Sequence, residues 1–408
     1  MINLLEVKLN DALSFLAVFI AFICATNGEL ANTNNTVIYY VPYLVCFAAL
    51  MLELLLFFNK KFVIPSYLLW RIGIIIFFLF SIIYATTGAN WFVIIKKYIA
   101  QSIVVFLISF KCMVAKENIQ KFIRIAIVAM FFSLLYVLTS VDLAMVREGV
   151  RLGVDSLNEA WNANDIGLTS SMGGVLTWYI FFVHSKTLTK RQKTLGIILE
   201  LFFLLFSVLS GSRKSLLIFF SALIIYYIRS SKSNKIRNIT IAILGVSIVV
   251  YAIFNIPFLY EHIGYRFEGA LDMLTGTGGD RSSQIRRDML EIGLQAFKQK
   301  PFLGHGLNGF SIVYGNLTSA QVYSHNNYIE ILVNTGIIGF LLYYGYIVRM
   351  VFVRVNGNKE LIMFKAILIA LLLADIGLVS YTASLYQYVL CLVICGISQK
   401  SLIPQENT

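Results

Sequence analysis

Long apolar runs separated by short polar segments dominate the chain. They centre on residues 12–26, 37–58, 66–86, 94–114, 122–140, 165–183, 194–210, 215–228, 239–256, 323–346, 361–381 and 385–398. A hydrocarbon core of roughly 30 Å is crossed by about 20 apolar residues in a helix, so the pattern predicts about twelve transmembrane helices. The runs are continuous, as in LLIFFSALIIYYI over 216–228, which excludes the alternating ten-residue segments of a membrane β-barrel. The expected fold class is therefore an all-α integral membrane protein, with 1–408 as a single polytopic domain. No internal repeat or Pro/Gly/Ser-rich linker divides it. Arg71 interrupts the third run.

Composition sharpens this picture. With 58% hydrophobic and only 13% charged residues, the chain departs from soluble enzymes, in which apolar usage is near half and charge near a quarter. The net charge of +12 would invite a nucleic-acid reading in a soluble protein. Here the basic residues gather in short interhelical segments: Lys60 and Lys61; Lys116, Lys121 and Arg124; Lys186, Lys190, Arg191 and Lys193; Arg229, Lys232, Lys235 and Arg237; Arg349, Arg354 and Lys359. These read as cytoplasmic loops, so no nucleic acid is required. Alternating the runs from a cytoplasmic N-terminus leaves NGELANTNNT, free of Lys and Arg, outside and returns the C-terminal QKSLIPQENT to the cytoplasm. Glu6, Lys8 and Asp11 precede the first run and no small-residue cleavage site is evident, so that run is expected to be a retained helix. The five cysteines form no CxxC pair and imply neither a disulfide framework nor zinc.

Two outward segments are longer, 141–163 and 257–322, and both carry arginine. Long loops translocate regardless of charge, so the topology stands. In the second, Ile285, Met289, Ile292 and Ala296 recur at helical spacing, predicting an amphipathic helix of about four turns that stops at Pro301. Gly304, Gly306 and Gly309 then mark a turn-rich return to the bilayer. Such a helix suits either a lipid-headgroup interface or a lid over an outward cavity.

Four positions carry candidate chemistry. Ser210-Gly211-Ser212-Arg213-Lys214 joins two runs so tightly that Arg213 is held at the membrane surface, as a bidentate phosphate clamp or as an interface anchor. Arg281 opens the amphipathic helix behind the glycine-rich GTGGD, where free backbone N–H groups add to its charge. Arg286 and Arg287 cannot share one helix face with Arg281, so only a subset points at a ligand. His325, in Ser324-His325-Asn326-Asn327-Tyr328, is the best general base, with helix capping as its alternative role. His305 reads as incidental, and His184 and His262 have no metal-ligand spacing. Ionisable residues within runs are Glu53, Arg71, Lys111, Glu200, Lys365 and Asp375. Asp375 is the deepest, suited to pairing with an arginine or to holding a substrate hydroxyl. Gly336, Gly339 and Gly345 are expected to permit close helix packing. No Walker A, GxSxG or paired-acid nucleotide-sugar motif occurs.

The stretch from Arg281 through Pro301, Gly304-His305-Gly306 and Phe310 to His325-Asn326, with Glu330 and Gly336-Ile337-Ile338-Gly339, resembles the signature region of the O-antigen ligase and Wzy-type polysaccharide polymerase superfamily. SGSRKS resembles the family's earlier arginine motif, and Arg147 and Arg151 with Asn162-Ala163-Asn164 are a looser match. The likeness spans about residues 210–340; Met289 or Leu290 stands where the family's usual aromatic follows the arginine.

The resemblance implies a metal-independent membrane glycosyltransferase without cofactor, in the bacterial cytoplasmic membrane with its site facing outward. Its donor would be a polyprenyl-diphosphate-linked oligosaccharide, and a flippase and chain-length regulator of the same pathway would be partners. Arg213 and Arg281 match the diphosphate-binding arginines and His325 the catalytic base. Arg147, Arg151, Arg286, Arg287, Asn326 and Asp375 are secondary candidates. A polymerase building O-antigen or capsule is preferred to a ligase because no lipid A core acceptor feature is present; a lipid-linked sugar transporter is the reading from another class.

Overall fold

The computed structural model describes residues 4–26, 36–56, 64–86, 88–139, 146, 150–153, 162–185, 188–230, 235–275, 281–355 and 357–401. Residues 27–35 of NGELANTNNT, Lys60, Lys61, Arg147, Lys186, Lys232, the GTGGD segment and the last seven residues lie outside the described residues.

Every apolar run becomes helical. The helices are α1 (Leu4–Thr26), α2 (Thr36–Leu56), α3 (Ser66–Ser81), α4 (Trp91–Val114), α5 (Asn118–Thr139), α6 (Ala163–Trp178), α7 (Lys190–Leu209), α8 (Arg213–Ser230) and α9 (Lys235–Asn255). They continue with α10 (Tyr265–Thr275), α11 (Arg281–Gln299), α12 (Gly309–Thr318), α13 (Asn327–Val351), α14 (Lys359–Ala374) and α15 (Ser384–Ser401). Among the described residues eight helices are long and apolar enough to cross a membrane, and shorter apolar stretches lie at Tyr40–Leu56 and Ser384–Gln399. The remaining runs, on α8 and α14, begin with Arg213-Lys214 and Lys359-Glu360, which bring charge into already short helices.

Burial sorts the helices. In α15, Leu385, Tyr386, Tyr388 and the stretch Val389–Ile394 are almost wholly enclosed, as expected of a helix apolar all round at the centre of a bundle. By contrast, only 11% of the α9 window is buried, so that helix offers its apolar surface to lipid. The most enclosed span is α6 with its π-helical continuation Tyr179–His184, at 78%. Small residues explain its depth. A Cβ added at Gly173 would meet the ring of Phe203, and one at Gly174 the ring of Phe219, so α7 and α8 approach within backbone reach.

Two buried cations tie helices together inside the bundle. Arg71 is fully buried: its Nε donates to Ser102 Oγ at 2.8 Å, Nη1 donates to Gln387 Oε1, and its guanidinium lies 3.9 Å from the Tyr98 ring centroid. Gln387 in turn donates to Tyr343 Oη (3.1 Å) and Ser380 O (3.0 Å). The interruption of the third run is thus a tie joining α3, α4, α13 and α15. Lys111 likewise bridges Glu53 (2.6 Å) and Asp11, linking α4 to α2 and α1.

Asp375 does not pair with an arginine. It lies at the end of α14, where Oδ2 accepts from Tyr344 Oη at 2.8 Å and its carbonyl accepts from Asn327 N at 2.8 Å. Its contacts pin the start of α13, a structural role in place of the ion pair the sequence allowed.

The decisive irregularity lies in α13. Gly336 has φ 62° and ψ −169°, a conformation essentially restricted to glycine, and breaks the helix mid-course. The turn after α11 fills the break: Ile337 N donates to Pro301 O (2.8 Å), Ile338 N to Phe302 O (3.3 Å) and His305 N to Val333 O (2.8 Å). A Cβ on Gly336 would stand 2.2 Å from Phe302 O, and one on Gly304 2.6 Å from Gly336 N. His305 is correspondingly not incidental. It is buried, its Nε2 faces Ala296 O at 3.0 Å, and its carbonyl receives Thr86 N and Oγ1, both at 2.8 Å.

Of the three glycines expected to allow close packing, Gly336 and Gly339 do so, whereas Gly345 has open space beside it. Gly336→Ala is therefore expected to cost on the order of 3 kcal/mol, combining forbidden backbone with overlap of Phe302. Thermal unfolding in detergent should show a midpoint several degrees lower, while Gly345→Ala leaves it unchanged.

Candidate active site

The amphipathic helix forms as α11 and ends before Pro301 as expected, but its buried face is rotated. Met289, Gly293 and Ala296 are enclosed with Ile292 partly so, while Ile285 is exposed. Gly293 sets the seat: a Cβ there would lie 2.3 Å from Ile329 Cγ2, so α11 rests directly on α13, with Phe310 and Tyr314 of α12 closing the side.

The turn before α8 is built around Gly211 at φ 57°. Its Cβ position lies 2.6 Å from His262 O and 2.9 Å from Arg151 Nε, so only glycine fits. Gly167 of α6 packs as closely, with Ser212 Cβ 2.6 Å from its own Cβ position. Three arginines wrap this turn. Arg151 Nε donates to Ser210 O at 2.8 Å, Arg266 Nη1 to Gly211 O at 3.2 Å, and Arg213 Nη1 to Arg266 O at 2.7 Å. Arg213 Nη2 reaches Ser283 Oγ at 3.3 Å and so ties α8 to the first turn of α11.

These cations feel one another. Burial, then the neighbouring Arg266, Arg213 and Arg286, push Arg151 down to about 10, against a smaller opposing effect of Tyr265. At neutral pH the guanidinium stays charged, and a bound anion would offset the mutual repulsion that depresses it.

His325 stands immediately before α13 in a left-handed conformation, φ 54°. A non-glycine residue held there signals a turn fixed by its surroundings. Ser324 N donates to the buried Glu330 Oε2 (2.8 Å), Ser324 Oγ donates to Asn326 O (2.7 Å), and Asn326 Oδ1 caps Tyr328 N and Ile329 N. Glu330 Oε1 accepts from Asn334 Nδ2 (3.2 Å), whose Oδ1 accepts from Phe310 N (2.9 Å). The histidine turn is thereby coupled to α12. The Tyr323 ring lies 4.3 Å from the imidazole. Burial, then the fields of Arg286 and Lys214, push His325 down to about 4. It is consequently a neutral imidazole at physiological pH, the form that accepts a proton.

The structure thus gathers Arg151, Arg213, Arg286 and His325 among the sequence candidates. Arg281 is exposed at the start of α11, two residues before Ser283, and Arg287 is exposed one position beyond Arg286. Of the α11 arginines, Arg286 is the one whose charge acts on His325 and on Arg151. Asn326 spends its side-chain oxygen as a helix cap. Three participants escaped the sequence reading: Arg266, Lys214 and Asp165. Lys214 donates to Gly377 O at 3.5 Å, and Asp165, in the first turn of α6, is close enough to attract both Lys214 and Lys97. Lys214 was visible in SGSRKS beside its neighbour, but nothing in the spacing tied Arg266 to the Gly211 turn.

Among the described residues no group of three or more His, Cys, Asp or Glu side chains is placed to hold a metal ion. The arrangement can bind an anion through fixed guanidinium groups and present a neutral base beside it. No curated protein matches the chain. Residues 198–344, which contain Arg213, Lys214, Arg266, Arg286 and His325, match the family model described as O-antigen ligase, a match consistent with the O-antigen ligase and Wzy superfamily that supports a membrane glycan-handling enzyme.

Proposed function

We propose that this protein is an inverting glycosyltransferase of the bacterial cytoplasmic membrane, its site facing outward, that joins polyprenyl-diphosphate-linked oligosaccharide repeat units into surface polysaccharide. One observation carries this reading: within the matched region, Arg286 and Lys214 act on a single neutral histidine, and Arg286 also acts on Arg151 of the arginine cluster at the Gly211 turn. His325 takes the proton of an acceptor hydroxyl, whose oxygen attacks the anomeric carbon of the donor sugar. The bond to the diphosphate oxygen breaks, its electron pair leaves with the diphosphate, and the proton rests on the imidazole. A single displacement inverts the anomeric centre.

Arg213 at the start of α8, with Arg281 at the start of α11, holds the diphosphate, and the surrounding guanidinium groups stabilise charge as it grows there. This is the electrostatic task that a divalent metal performs in other transferases, so the reaction is metal-independent in this reading. A flippase delivers the donor and a chain-length regulator limits the product.

Transfer to a different acceptor, as the family model's description indicates, uses the same donor site and base and differs only in the hydroxyl presented. Transport fits less well. The break in α13 would suit a transporter's ion site, but its freed N–H groups are taken by Pro301 and Phe302 carbonyls.

Purified protein given a polyprenyl-diphosphate-linked repeat unit should yield a ladder of products separable by size. His325→Ala is expected to reduce the rate by about 10²–10⁴-fold and Arg213→Gln by about 10²–10³-fold. A full ladder from His325→Ala would refute its role as base; a single transfer to an added acceptor, with no ladder, would identify a ligase.

The pH profile is a second test. Because the free enzyme's His325 protonates only near pH 4, kcat/KM should stay level from neutrality to about pH 5 and fall below that as the base is lost. Arg286→Gln removes one depressing charge and should move this acidic limb upward. A limb unmoved by Arg286→Gln would separate the arginine from the base.

A further inference from the structure

The helix that begins beside the arginine cluster ends at a second cationic site. From Ala163 to His184 the chain runs 22 helical residues, about 30 Å, so the two sites occupy opposite ends of one membrane-crossing segment. At the far end a cleft of about 360 Å³ is lined by Lys116, Glu117, Gln120, Lys121, Arg124, His184 and Gln399. That volume lies within the range of small-molecule sites.

The charges in this cleft are unequally used. Lys121 Nζ is paired with Glu117 at 2.8 Å, and His184 Nδ1 faces Glu360 Oε2 at 3.1 Å. Lys116 and Arg124 are exposed and make no hydrogen bond or ion pair among the described residues. The first turn of α5 adds the partial positive charge of a helix N-terminus. The floor is polar: the Gln120 side-chain oxygen is buried without a hydrogen-bond partner, and Gln399 Nε2 is fixed on Cys112 O at 2.7 Å. Two uncommitted cations and an unsatisfied acceptor among the residues lining one cleft suit a ligand that is anionic at one end and donates a hydrogen bond at the other. Generic headgroup contact needs only the cations and leaves both the concavity and the buried acceptor unexplained.

We infer that the cleft between the start of α5, the π-helical end after α6 and the end of α15 binds a hydroxyl-bearing phosphate ester, its phosphate on Lys116 and Arg124 and its hydroxyl on Gln120. The same chemistry occurs in a phosphoglycerol lipid headgroup and in a soluble polyol or sugar phosphate. The site is independent of the transferase reading, because none of its residues belongs to the arginine cluster.

The test is thermal unfolding of the full chain in zwitterionic detergent, titrated separately with glycerol phosphate and with short-chain phosphatidylglycerol. Wild type is compared with Lys116→Gln/Arg124→Gln, and Arg286→Gln serves as a control for anion binding at the other end. The double variant should unfold at the wild-type midpoint without ligand, since both side chains are exposed. Stabilisation of wild type and of Arg286→Gln, with the double variant needing at least about tenfold more ligand for the same shift, supports the site. A response to glycerol phosphate assigns it to a soluble ester, and a response to the lipid alone assigns it to a headgroup. Equal shifts in wild type and double variant, or no shift with either probe, would overturn it.

Discussion

A backbone N–H left unpaired in hydrocarbon costs several kcal/mol, and the break in α13 exposes this chain to that penalty. Gly336 frees the N–H groups of Ile337 and Ile338, and the carbonyls of Pro301 and Phe302 receive them. The turn following α11 therefore has one place to sit. With the turn fixed, His305 ties back to Ala296 and Thr86, α11 lies on Ile329 through Gly293, and Arg286 is held where its charge reaches His325. A hydrogen-bond requirement inside the membrane thus sets the geometry of a site at its surface.

The same solvent separates two uses of charge. Arg71 and Lys111, deep in the bundle, are surrounded by acceptors or counter-charges and serve to join helices. Around Gly211, by contrast, Arg151, Arg213 and Arg266 donate to main-chain carbonyls and so fix the turn. Arg266, Arg213 and Arg286 each act against the charge on Arg151. In the proposed function, an anionic substrate would offset these charges and raise the basicity of the histidine beside them. Binding and activation of the base would then be one electrostatic event.

Much of this was legible in the sequence because the bilayer enforces simple rules. Run length located the helices, Pro301 marked the end of α11, and the brevity of SGSRKS placed Arg213 at a helix start. What escaped depended on contacts between distant segments. Ile285 fits the apolar stripe of α11, yet the close approach at Gly293 turns the buried face away from it. Gly345 has the same local pattern as Gly336 and Gly339 but no neighbour to admit. Asp375 looked like an ion-pair partner, whereas Tyr344 supplies its hydrogen bond. Arg266 carries no motif, and only the fold brings it to Gly211, more than fifty residues earlier. Spacing identifies residues on one element; it is silent on which elements meet.

The coupling between the cation cluster and His325 is tested most directly by titrating the His325 imidazole by NMR, with and without a non-transferable prenyl diphosphate. Without ligand it should titrate near pH 4. With the diphosphate bound, screening of Arg286 and Lys214 should raise that value by about one unit or more. An imidazole that titrates at the same pH whether or not the diphosphate is bound would contradict a shared site.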